Sequence, residues 1–106
     1  MATVENTEND ILKSTKELFN TIVENNTLDI SKIVSVIFTV TNDLDAAFPA
    51  KAIRELGYHQ LSAIDTKAPN VVNDLEGCIR VLVIYKDEIE VTHTYLGEAK
   101  NLRPDR

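Results

Sequence analysis

Residues Ile33-Val-Ser-Val-Ile-Phe-Thr-Val40 are dense in β-branched side chains and stop at the polar turn Thr41-Asn-Asp43. Such a run predicts a buried strand. A second run, Ile79-Arg-Val-Leu-Val-Ile-Tyr85, has the same character and ends at the turn Lys86-Asp-Glu88. Two strands apolar almost throughout need cover on both faces. Upstream, Ile11, Leu12, Leu18, Phe19, Ile22 and Val23 fall on one stripe of a helix predicted over 7–25, with Thr7 as its cap and Asp10 completing an acidic capping box. A shorter helical turn begins at Asp29 or Ser31. Pro49 suits the first turn of a second helix from Ala50 to about Leu56, ended by Gly57. Residues 58–64 read as a strand, 65–77 as a long loop, 91–95 as an alternating strand, and Gly97 opens a short final segment.

Helix, strand, helix and then several strands predict an α+β domain over 1–106: a mixed β-sheet with one long and one or two short helices on one face. The opposite face then needs other cover, and self-association through it is the expectation.

The chain has 106 residues, one domain's worth. Eleven Lys and Arg against seventeen Asp and Glu leave a formal charge of -6. An acidic surface does not offer the broad basic face that nucleic acid requires. The longest apolar stretch is far short of the about 20 residues of a spanning helix, which argues against a membrane partner. Residues 1–10 carry neither the basic nor the apolar region of a secretory signal, and Cys78 is the one cysteine. A cytoplasmic location is the expectation, with no internal disulfide.

The chemistry inventory is short. Cys78 leads into an apolar run and reads as a small hydrophobe. His59 and His93 lack metal-ligand spacing, so no metal is expected, and His93 reads as a hydrogen-bonded structural histidine on the same strand face as Tyr95. Three glycines leave no phosphate cradle. Asp87, Glu88 and Glu90 read as a solvated edge.

Positive charge on ordered structure remains. The arginines (Arg54, Arg80, Arg103, Arg106) all lie in the second half of the chain, either scattered on the surface or gathered into an anion pocket. Arg80 sits amid apolar neighbours, where an unpaired guanidinium is costly; its partner is an internal carboxylate or a ligand. Lys51 and Arg54, three apart on the short helix, share a side. Such an inventory suits a small polyanion better than proton-transfer chemistry.

Phe38-Thr-Val-Thr-Asn-Asp-Leu-Asp-Ala-Ala-Phe-Pro-Ala-Lys-Ala-Ile-Arg54, Cys78-Ile-Arg-Val, His93-Thr-Tyr-Leu and Leu102-Arg-Pro-Asp105 stand in the order, and close to the spacing, of the AroH-type monofunctional chorismate mutases, which this chain resembles from about residue 2 to 105. The resemblance implies a homotrimer with a barrel-like core, active sites in clefts between subunits, and the Claisen rearrangement of chorismate to prephenate, on the route to Phe and Tyr, without a cofactor. It implies that Arg80 donates to the ether oxygen, the one catalytic assignment, and that Tyr95 binds a substrate carboxylate. Phe48, Ala50, Lys51 and Arg54 match a pocket wall from the adjacent subunit, and Leu102 and Arg103 a closing C-terminal segment. Two features depart from the family pattern. The first strand, with a carboxylate-binding arginine, is absent ahead of Met1-Ala-Thr. The position of a substrate-bonding loop glutamate is Ala68, with Asp65 as a possible polar contributor nearby. Losing such donors costs about 10²–10³ in rate each, so the alternative implied is a catalytically impaired homologue serving as a trimeric binding module.

Overall fold

The computed structural model describes residues 1–101. Strand β1 (Ala2–Thr3) precedes helix α1 (Glu8–Asn26); a 3₁₀ turn at Ile30–Lys32 leads into β2 (Ile33–Val40). Helix α2 (Ala50–Glu55), β3 (Ser62–Lys67), β4 (Cys78–Tyr85) and a 3₁₀ turn at Gly97–Asn101 follow. The sheet order is β1-β4-β2-β3, with β2 and β3 parallel across the α2 crossover and the other pairs antiparallel. The α+β architecture with a mixed sheet is as expected from the sequence.

Helix α1 starts where its cap chemistry places it. Thr7 Oγ1 accepts from Asp10 N at 3.1 Å, and Asp10 Oδ2 reaches back to Glu5 N at 2.6 Å. It ends at Thr27 in the left-handed region, φ 49° and ψ 49°, whose N–H closes on the last turn. Its buried stripe, Ile11, Leu18 and Phe19, packs with Val36, Phe38 and Ile79 from the sheet.

Register decides what the other face carries. Thr39 pairs with Arg80 and Thr66, Ile37 with Leu82 and Ile64, and Ser35 with Ile84 and Ser62. Rows of outward side chains therefore cross three strands: a polar row with one guanidinium, an apolar row beside it, and a mixed row beyond. Leu82, Ile64 and Ile84 remain 59%, 56% and 41% exposed in the single chain, so the apolar face without internal cover is present as expected.

Three expectations are corrected. Strand β3 begins at Ser62, because residues 58–61 continue the turn out of α2: Leu61 N donates to Tyr58 O, and Tyr58 packs its ring 5.8 Å from that of Phe19. It runs on to Lys67, since parallel pairing follows β2 to Val40, so Asp65 lies on a strand and not in the loop. Residues 91–95 form no strand. Asn26 binds Thr92 on both sides, Nδ2 donating to Thr92 O at 2.9 Å and Oδ1 accepting from Thr92 N at 2.7 Å. Met1 meets the following residues, its amino group donating to Thr94 O and its carbonyl accepting from Leu96 N. Those partners take the place of a ladder. Phe38 is fully buried at the centre of the core, and Phe38→Ala should cost about 3–5 kcal/mol of unfolding free energy, read from the urea midpoint.

Candidate functional site

Arg80 stands on the outward face of β4, where alternation puts it opposite Ile79 and Val81. Its guanidinium is exposed, and its Nε donates to Thr39 Oγ1 at 3.0 Å. Among the described residues the ion pairs are Lys16–Glu55, Lys32–Asp87 and Lys51–Glu8, and none involves Arg80. Of the two partners open to it from sequence, the internal carboxylate is thereby excluded among the described residues. The expectation of a guanidinium sunk among apolar neighbours is also corrected: those neighbours alternate onto the two faces, and Arg80 shares its own face with Leu82 and Ile84.

Arg80 and Tyr95 line one cleft of about 340 Å³, between β4 and residues 91–95. Its wall is set by the Asn26–Thr92 clamp, so Asn26, read from sequence only as a helix stop, positions the segment that bears Tyr95. His93 lines the same cleft; it is exposed and makes no hydrogen bond among the described residues, contrary to its reading as a bonded structural histidine. The Met1 amino group also reaches this cleft, and burial lowers its pKa to about 6. Cys78 is buried, which raises its thiol pKa and leaves it a poor nucleophile.

A second cleft, about 530 Å³, is lined by Phe48, Lys51, Asp65 and Lys67, and shares no residue with the first. Phe48 is 69% exposed, an unusual cost for a phenyl ring in an isolated chain. Lys51 Nζ pairs with Glu8 Oε1 at 3.2 Å. Ala50 is buried at the start of α2, and Arg54 is exposed in its last turn. Within one chain the structure therefore joins Arg80 to Tyr95, and Phe48 to Lys51 and Asp65, but does not bring the two groups into one pocket. Leu102 and Arg103 lie outside the described residues.

Asp65 has a structural task. Pro49 gives α2 no side-chain cap, and Asp65 Oδ1 accepts from Ala50 N at 3.0 Å instead. Burial raises the Asp65 pKa, against the opposing Ala50 N–H and Arg54 charge. Ala68, buried, donates its N–H to Val40 O at 2.8 Å and offers no polar side chain. Among the described residues, no group of three or more His, Cys, Asp or Glu is placed to hold a metal, and no helix is long and apolar enough to cross a membrane.

Comparison with known proteins decides the lineage. The family model for chorismate mutase type I matches residues 1–106. This chain belongs to the chorismate mutase type I family. It is 38% identical to a curated relative named chorismate mutase AroH from Thermus thermophilus, over 95% of this chain and 86% of that one. It is 37% identical to the protein of the same name from Bacillus subtilis, over 93% and 81%. A solved chorismate mutase from Clostridium thermocellum superimposes with a TM-score of 0.91 at 38% identity, covering 94% of this chain and 93% of that one. The family resemblance drawn from the Phe38–Arg54 and Leu102–Asp105 motifs is thus correct.

Because the folded Asp65 holds its proton more tightly than the unfolded chain does, stability falls as pH rises from the ordinary carboxylate range through its raised pKa. Asp65→Asn keeps an acceptor for Ala50 N–H and lacks this titration. Its urea midpoint relative to the parent should therefore be higher at pH 7 than at pH 4. Asp65→Ala lacks the titration as well as the acceptor and should lie about 1 kcal/mol below Asp65→Asn at both.

Proposed function

We propose that this chain is a chorismate mutase that rearranges chorismate to prephenate without a cofactor, in the cytoplasmic supply of Phe and Tyr. The reaction is an isomerisation: one C–O bond breaks as one C–C bond forms, with no electron or proton exchanged with the protein. Catalysis needs two things, a dicarboxylate held in a compact chair-like geometry and positive potential where the ether oxygen gains charge. The observation that carries this reading is the Arg80 guanidinium, unpaired by any described carboxylate and sharing a cleft with Tyr95. In this reading Arg80 donates to the ether oxygen and Tyr95 binds a substrate carboxylate.

The assembly that suits these surfaces is a homotrimer with a barrel-like core. The Leu82–Ile37–Ile64 row beside Arg80 is apolar surface that a second copy would cover. The exposed Phe48, with Ala50, Lys51 and Arg54, would come from a neighbour to close the cleft of Arg80, with Leu102 and Arg103 completing it. Two half-clefts on one chain are what a heterologous, ring-closing contact joins. A second reading, an impaired homologue that keeps the assembly and binds dicarboxylates, is favoured by Ala68 and by the commitment of Asp65 to α2, since neither supplies a free polar group.

Loss of chorismate absorbance with the purified chain separates the two readings. Arg80→Ala should lower kcat/KM by at least about 10²–10³ with the fold intact. Arg80→Lys should fail comparably, because an ammonium lacks the guanidinium fork. Parent-like turnover in either variant overturns the mechanism, and a monomer by sedimentation at micromolar concentration overturns the assembly.

A further inference from the structure

An exposed arginine ordinarily samples many rotamers, and a catalytic one must not. Arg80 faces Thr39 directly across the β2–β4 ladder, and its Nε donates to Thr39 Oγ1 at 3.0 Å. Thr39 is itself held: it is half-buried, its backbone is paired to β3 at Thr66 and to β4, and its branched side chain has few rotamers. The hydroxyl occupies only the Nε–H, and among the described residues nothing engages the Nη donors at the far end of the fork. It also carries no charge, so it orients the guanidinium without neutralising it.

We propose that Thr39 is a positioning residue that fixes the Arg80 guanidinium toward the cleft shared with Tyr95. This rests on the catalytic reading of Arg80 above and adds to it the group that fixes the arginine's direction. Were Thr39 merely a strand residue, valine would serve as well, since it has the same shape and a strand propensity at least as high. The hydroxyl is therefore the atom to test.

Thr39→Val should lower kcat about tenfold, the worth of one net hydrogen bond felt at the transition state, with KM within about twofold and no loss of thermal stability. Thr39→Ser restores the hydroxyl and should return kcat to within about twofold of the parent. In the ¹H–¹⁵N spectrum, the Arg80 Nε–H resonance, assigned by its loss in Arg80→Lys, should be shifted and protected from exchange in the parent and Thr39→Ser. In Thr39→Val it should move to the solvent-exposed arginine position. A valine variant with parent kcat and an unmoved resonance, or a serine variant as impaired as valine, overturns the proposal. Parent-like turnover by Arg80→Ala, or no chorismate turnover by the parent chain, removes the catalytic reading alone. The Nε–H comparison then still decides whether Thr39 holds Arg80.

Discussion

The register of β2 against β4 is the constraint from which the rest follows. With Phe38 inward beneath α1, Thr39 must point outward, and its partner Arg80 must point outward with it. A one-residue slip that turned β4 over would drive the guanidinium into the helix-covered core, and one that turned β2 over would expose Phe38. Loss of the buried phenyl ring and entry of an unpaired charge would each cost several kcal/mol. That penalty holds Arg80 on the outer face. The irregularity between Ile33 and Ser35 falls at the far end of the ladder, away from this pair.

Charge on that face has to be read beside its apolar neighbour. The row Leu82–Ile37–Ile64 is the kind of surface that association covers, and covering it strips water from the adjacent Arg80 row. A guanidinium deprived of water needs an anion, or the association is penalised. No described carboxylate is on it, and in the proposed reading the anion comes from a ligand. In the proposed assembly, apolar cover and anion capture are coupled: the surface that favours association would also dry the charge and strengthen its grip on a dicarboxylate. In a chain of formal charge -6, such a pocket is a local inversion of sign.

Strands β2 and β4 and helix α1 were legible because each is dictated locally, by β-branched density or by a stripe behind a capped start. Strand β3 was misplaced because Tyr58 and Leu61 look like strand residues but serve a turn packed on Phe19. Residues 91–95 alternate as a strand does, yet their partners are the Asn26 side chain, 66 positions away from Thr92, and the Met1 amino group. The cap of α2 was equally hidden, since Asp65 reaches it from another strand. For the site, Arg80 stood out as a candidate because it is a charge among hydrophobes, whereas its exposure was not legible, because periodicity assigns residues to faces without saying which face is covered. Its grouping with Tyr95 came from family resemblance. Thr39 carried no signal at all; only a long-range register gives it a role.

Electrostatic catalysis requires fixed charge, and the usual means of fixing an arginine is a carboxylate. For the proposed mechanism that solution defeats itself, because an ion pair spends the field that the developing oxyanion must feel. A hydroxyl and an amide avoid the cost. Thr39 restrains one side of the cleft and Asn26 the other, each through neutral groups on regular elements. Three of the acidic side chains are paired elsewhere among the described residues, Glu8 with Lys51, Glu55 with Lys16, and Asp87 with Lys32. Rigidity at the cleft is therefore obtained from neutral hydrogen bonds, and in the proposed mechanism the charge of Arg80 is left for the substrate.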